Sequence, residues 1–199
     1  NTLNVMSKQL KERLKQIKIK AFFATNVLGF TGDLDEIKKT CKKNNIILLE
    51  DNCESLGTEL FSGKAGNFGL ASTFSFFVAH HMSTIEGGMV CTDDKELAEM
   101  LRITRANGWD RNLSIPQQTK WREKYSITSE FQSKYTFYDL GYNLRPTEIT
   151  GFLGLFQLQF LDETIKIREE NHHYLEKKLR ENSDLIPLNR SHIKKFSPF

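Results

Sequence analysis

Ser75 and His80 stand five residues apart in the stretch FSFFVAHHMSTIEGG (74–88), which closes on Glu86-Gly87-Gly88. An imidazole that is neutral near pH 7 can take a proton as a general base, and a hydroxyl can donate to an anion. Upstream, IILLEDNCESLG (46–57) is an apolar run that ends in Asp51, with Glu54 three residues on. Downstream, LGYNLRPTE (140–148) carries Asn143 and Arg145. Taken singly, each of these residues has an ordinary reading. Asp51 can be a helix cap or loop acid after a strand, Ser75 a strand-end hydroxyl, and Gly141 and Pro146 a turn and a helix start. His80 and His81 invite a metal reading. Adjacent residues of an extended chain point to opposite faces, however, and no acid or third histidine completes a ligand set. His172 and His173 read as solvent residues of a charged helix.

The elements that position these residues follow from periodicity. Residues 3–18 are predicted helical, with Leu3, Met6, Leu10, Leu14 and Ile17 on one face and a solvated lysine face opposite. Ala21–Val27 reads as a strand. Asp33 with Glu36 three residues on forms a predicted capping box that opens a helix over Leu34–Lys43. Ile46–Leu49 is a continuous apolar run, as in a strand buried on both faces of a parallel sheet. Leu70–Phe77 and Gly88–Thr92 read as further strands, and Asp94–Asn107 as a helix. Strand alternating with helix argues an α/β fold, in which ligands bind beyond the carboxyl ends of the strands, where Asp51 lies. Residues 108–134 are expected to form a long irregular loop. A long helix is predicted from Pro146. Its first half is apolar almost all round and expected to be buried against a partner subunit, and its part after Lys166 should face solvent.

The chain has 199 residues, 39% hydrophobic and 27% charged, with a net charge of +3. That charge is too weak to argue for nucleic acid, although it suits an anionic substrate. No run is long or apolar enough to span a bilayer, and the first ten residues lack the apolar core of a signal peptide. Cys41, Cys53 and Cys91 are odd in number and form no CxxC pair, so neither a disulfide framework nor a zinc site is predicted. The reading is a reducing, cytoplasmic location.

Together, the stretches around Asp51, Ser75–Gly88 and Asn143 resemble the sugar aminotransferase family of DegT/StrS type. The resemblance implies a fold-type-I α/β architecture binding pyridoxal 5'-phosphate or pyridoxamine 5'-phosphate, with a mostly parallel sheet flanked by helices. It implies that residues 1–145 are part of the large cofactor domain and that 146–199 lead into a small C-terminal domain. The sequence matches only the middle of the family's pattern, so a piece of a longer chain is expected. By resemblance, Asp51 meets the pyridine nitrogen, Glu54 the ring's phenolic edge and Ser75 the cofactor phosphate. Asn143 is contributed to that phosphate by the neighbouring subunit of a homodimer with shared active sites. Arg145 is a candidate for the diphosphate of a sugar nucleotide.

One departure decides the implied chemistry. The family pattern Ser-Phe-x-x-x-Lys has its Schiff-base lysine where this chain has His80. Imidazole cannot form that bond, so the cofactor would be held non-covalently, with His80 as the base. The branch with histidine here is a 3-dehydratase of nucleotide-linked 4-keto-6-deoxy sugars. It serves dideoxysugar synthesis for O-antigen lipopolysaccharide and takes its amine from a donor such as glutamate. A related dehydratase needs an iron–sulfur cluster. A cluster wants four thiolates, residues 108–134 hold none, and the chain has three cysteines, so no iron–sulfur cluster and no metal is expected. Two alternatives remain open at this point: an aminotransferase that recruits another lysine, Lys64 being the nearest upstream, and a non-catalytic binder of cofactor or sugar nucleotide.

Overall fold

The computed structural model describes residues 2–199. The chain divides into two compact units, Asn1–Cys91 with Glu148–Phe199, and Thr92–Thr147. The proposed large-domain and small-domain division at residue 145 concerns the full protein and remains a proposal.

The first unit carries two sheets. β1 (Ala21–Thr25), β2 (Ile47–Asp51), β5 (Ala71–Ser75) and β6 (Gly88–Cys91) lie in the order β1-β2-β5-β6. The first three are parallel, and β6 is antiparallel to β5. Parallel neighbours need a crossover. Between β1 and β2 it is α2 (Leu34–Lys43), which has the predicted bounds. α1 is shorter than predicted, Ser7–Leu14. Leu10 of α1, Leu34, Ile37 and Cys41 of α2, Ala24 of β1 and Leu48 of β2 form one core cluster. Both helices therefore cover the sheet face to which Ala24 and Leu48 point. On the opposite face Phe23 is 52% and Ile47 49% exposed. β2 thus alternates where burial on both faces was expected, with Ile47 left open on that second face.

Asp33 does precede α2, yet its carboxylate does not cap the helix. It accepts from the backbone N–H of Ser7 at 2.6 Å and from the Ser7 hydroxyl, tying α1 to α2. The second sheet is small and antiparallel, with β4 (Gly63–Lys64), β3 (Glu59–Leu60) and β7 (Ile193–Lys195) in that order. The long predicted helix is broken into α6 (Glu148–Leu158) and α7 (Leu161–Leu179). No residue of α6 is buried, and Phe152 and Leu155 are more exposed than its polar Thr150 and Gln157. α7 does not simply face solvent. Ile165 is buried against Gly57, whose φ of +94° and lack of Cβ allow the approach. His172, expected in solvent, is half-buried with its ring 4.6 Å from Phe196.

In the unit Thr92–Thr147, α3 (Lys95–Thr104) is capped by Asp94, which accepts from Leu97 N–H at 2.9 Å. The expected loop at 108–134 contains two helices, α4 (Ile115–Lys124) and α5 (Glu130–Tyr135). Trp121 of α4 is buried with Ile103 and Leu113, and its indole N–H donates to Glu99 Oε2 at 2.8 Å. Among the described residues no helix is long and apolar enough to cross a membrane.

Candidate active site

The parallel register brings the carboxyl ends of β1, β2 and β5 to one edge, with Asp51 opposite Thr25 and Thr73. Asp51 Oδ1 accepts from the Thr73 hydroxyl at 3.2 Å and from Cys53 N–H at 3.1 Å. Both bonds fall on one oxygen, and no described hydrogen bond takes Oδ2. Ser75 lies two residues beyond Thr73, at the end of β5 and paired with Gly88. Its Oγ accepts from Phe77 N–H at 3.3 Å, so the hydroxyl proton is left for another acceptor.

His80 sits in a loop that closes on itself. Phe76 N–H donates to Gly87 O and Thr84 N–H to Phe76 O, both at 2.9 Å, while His80 N–H donates to Phe77 O at 3.0 Å. The imidazole Nδ1 lies 2.6 Å from the carbonyl oxygen of Cys53. A carbonyl only accepts, so Nδ1 carries the proton and Nε2 is the basic nitrogen. His80 is thereby tied to the same β2–loop turn that fixes Asp51. The Cys53 thiol is half-buried and pushed up to about 11 by burial and by Asp51, so it stays a neutral thiol.

The loops after β1 and β2 are joined by a buried pair, the Asn26 amide donating to Asn52 Oδ1 at 2.7 Å, with the Ser55 hydroxyl on the same oxygen at 3.0 Å. Glu50, fully buried beside Asp51 in sequence, points to the other sheet face. It accepts from the backbone N–H groups of Gly66, Phe68 and Gly69 at 2.7, 2.7 and 2.8 Å. This carboxylate pins the 66–69 loop under the strand that presents Asp51. Sequence reading missed Thr73, Asn26, Asn52 and Glu50. The one available signal was the acid pair Glu50-Asp51, whose side chains must alternate across a strand.

Glu54 lies in the loop after β2. Its Oε2 accepts from Leu28 N–H at 2.8 Å, in a turn where Leu28 has φ 55° and Gly29 φ 87°. Lys64 is exposed on β4, in the other sheet, 4.0 Å from Glu59. Asn143 and Arg145 belong to the unit Thr92–Thr147. There the backbone at Asn143 bridges Ala106, and Arg145 Nε donates to Asn143 Oδ1 at 3.0 Å, both side chains being exposed. Among the described residues no group of three His, Cys, Asp or Glu side chains is placed to hold a metal ion.

A carboxylate with one uncommitted oxygen, a hydroxyl with a proton to give and an imidazole with a basic nitrogen converge at one end of a parallel sheet. This donor set fits a protonated pyridine ring bearing a phosphate. It contains no amine that would attach such a ring covalently.

The chain spans about half the length of the relatives it matches. It is 41% identical over 182 residues to GDP-4-keto-6-deoxy-D-mannose 3-dehydratase of Escherichia coli O55:H7, covering 92% of this chain and 46% of that protein. To the enzyme of the same name from Yersinia pseudotuberculosis it is 43% identical over 170 residues, covering 85% and 42%. A crystal structure of GDP-4-keto-6-deoxymannose-3-dehydratase with a trapped PLP-glutamate geminal diamine superimposes with TM-score 0.88 at 38% identity, over 100% of this chain and 50% of that one. The α/β arrangement with its mostly parallel sheet is thus that of the fold-type-I pyridoxal-phosphate enzymes. Residues 1–197 match the family model, and with relatives and fold in agreement the chain belongs to the DegT/DnrJ/EryC1/StrS aminotransferase family.

Proposed function

We propose that the protein is a pyridoxal-phosphate- or pyridoxamine-phosphate-dependent 3-dehydratase of a nucleotide-linked 4-keto-6-deoxy sugar, GDP-4-keto-6-deoxymannose being the favoured substrate. The observation that carries the reading is His80, held through Nδ1 to the Cys53 carbonyl at 2.6 Å with Nε2 left as the base. The bound cofactor supplies an amine and an electron sink, which make the neighbouring proton acidic and allow the sugar's C3 hydroxyl to leave. Asp51 holds the proton on the ring nitrogen, as the anion that keeps it charged. Ser75 donates to the phosphate, and Asn143 of a second subunit is assigned the same group. His80 Nε2 takes the proton. Having no amine, it cannot carry the sugar through transfer of nitrogen as lysine would. Arg145 is assigned to the diphosphate.

With glutamate as donor the balance closes. Sugar and glutamate give the 3-deoxy-4-keto sugar, 2-oxoglutarate and ammonia. The similar structure's glutamate adduct supports that donor. We assign the protein to the cytoplasm, as a homodimer in which the exposed apolar face of α6 is the subunit contact. The resemblance suggests Glu54 at the ring's phenolic edge, a contact open to Oε1 while Oε2 accepts from Leu28 N–H.

The test is incubation of the full-length protein with GDP-4-keto-6-deoxymannose, pyridoxal phosphate and glutamate. Ammonia release with loss of the C3 oxygen is expected. An amino-sugar product would mean an aminotransferase, and no turnover a non-catalytic binder.

A further inference from the structure

The segment Phe196–Phe199 is fastened to the active-site loops more heavily than a surface connection requires. Ser197 is fully buried. Its hydroxyl donates to Leu56 O at 2.6 Å, its N–H to Thr58 Oγ1 at 3.2 Å, and its carbonyl lies 3.3 Å from His81 Nε2. Phe196 N–H donates to Glu169 Oε1 at 3.0 Å, and Pro198 O accepts from Arg168 at 3.4 Å. Gly29 makes room for the segment, since a Cβ there would come within 2.2 Å of Ser197 O.

These bonds deliver one side chain to the site. The Phe199 ring stands 4.9 Å from the His80 ring at an interplanar angle of 61°, while Phe77 flanks His80 at 6.1 Å. His80's single ring hydrogen bond, through Nδ1, leaves the imidazole free to tilt about it. An aromatic edge on the ring removes that freedom. His81 is buried, with Nδ1 unpartnered among the described residues, so its one ring bond is the one to Ser197. A buried polar group with a nitrogen left over is costly, and calls for a role. Burial and the Arg168 charge keep it neutral, so it places no second positive charge beside His80.

We propose that His81 and Phe199 are positioning residues for His80: His81 latches Ser197, and the latched segment holds the Phe199 ring against the imidazole that carries the proton. The proposal rests on the reading of His80 as the base.

The test uses the full-length holoenzyme with His81→Leu, Phe199→Leu, the conservative His81→Gln and Phe199→Tyr, and His80→Asn. His81→Leu and Phe199→Leu should lower kcat by about tenfold to a hundredfold, the scale of a small misplacement of a reacting group. KM and cofactor affinity should stay near the parent's. In His81→Gln the new side-chain amide can donate to Ser197 O, and in Phe199→Tyr the phenol ring can pack on His80. Both conservative variants should therefore recover most of kcat. Acylation of His80 by diethyl pyrocarbonate, located by mass spectrometry without substrate, should quicken several-fold in the two leucine variants. Parent-like kcat and acylation in both leucine variants would overturn the proposal, as would equal losses in the leucine and conservative pairs. Should His81→Leu fail to fold, Phe199→Leu decides, since that ring lies partly in solvent. Continued dehydration by His80→Asn would overturn the base reading instead, and the acylation rates, which need no turnover, would still decide whether the segment positions His80.

Discussion

His80 Nδ1 lies 2.6 Å from the carbonyl oxygen of Cys53, two residues beyond Asp51. One turn therefore sets both the carboxylate assigned to the ring nitrogen and the imidazole assigned to the proton. A backbone carbonyl cannot be altered by substituting Cys53, so the tautomer of His80 is a property of the fold.

His80→Asn is expected to keep the fold and cofactor binding, because the holding is assigned to Asp51 and Ser75. Dehydration should fall by about 10²–10⁴, the usual cost of losing a general base. His80→Lys should become covalently labelled when cofactor-loaded protein is reduced with borohydride, whereas the parent should not. Labelling of the parent would show that another lysine carries the cofactor, and the dehydratase reading would fail.

Asp51→Asn separates charge from structure. The asparagine oxygen can still accept from Thr73 and Cys53 N–H, so the urea midpoint should hardly move. Loss of the anion should cut turnover by about 10² or more, as for other removed electrostatic stabilisers. A variant that unfolds early yet turns over normally per folded molecule would contradict this assignment.

Much of this was legible in the sequence, and the exceptions share a cause. Helix Leu34–Lys43 and a strand over Ile46–Leu49 follow from apolar spacing, because hydrophobic burial forms them, although β2 runs on to Asp51. Asp33 shows the limit: its position was read correctly, but a tertiary partner, Ser7, outcompeted the local cap. The helices in 108–134 gave no apolar period because α4 buries only Trp121, against Ile103 and Leu113, and α5 only Ser133, so much of what holds this region is polar. Asp110 is fully buried, with its carboxylate on Arg122 Nε at 2.8 Å and on the Tyr138 hydroxyl at 3.2 Å. No hydrophobic period records such a network. His80 and Asp51 were found through the resemblance. Their coupling through Cys53 needed coordinates, since a backbone carbonyl has no sequence signature.

Glu50→Gln should be markedly destabilising without touching the chemistry directly. Glu50 Oε1 takes Phe68 and Gly69 N–H, and Oε2 takes Gly66 N–H. The amide of glutamine must turn an N–H₂ toward one of these donors, leaving a buried donor unpaired. A loss of about 1–3 kcal/mol is expected, read as a lower urea midpoint. An unchanged midpoint would mean that the 66–69 loop is held by something else.

Assembly has its own test. If Asn143 serves the neighbouring subunit's phosphate, mixing a His80→Asn subunit with an Asn143→Ala subunit should restore part of the activity that each lacks alone. A fully active monomer at assay concentration would end this reading.

The buried His81 predicts an acid limb in stability. Burial, with the Arg168 charge from α7 and the neighbouring His80, lowers it from 6.5 to about 4, against the opposing pull of the Ser197 and Pro198 carbonyls. Folding thus favours the neutral ring, and between pH 6.5 and about 4 the unfolded chain binds the extra proton. Stability from this group is complete above pH 6.5 and drains away as the pH falls toward 4, by about 3 kcal/mol at 1.36 kcal/mol per unit. His172, also lowered by burial, adds a loss of the same sign. The carboxylates held low by cationic partners, such as Glu176 with Arg190, lose their contribution below their ordinary value of 4.5 and so leave the range above pH 4.5 to the histidines. Urea midpoints of the parent between pH 7 and 4.5 should fall steeply, and those of His81→Gln less so. Parallel curves for the two proteins would show that His81 is not buried neutral in the folded chain.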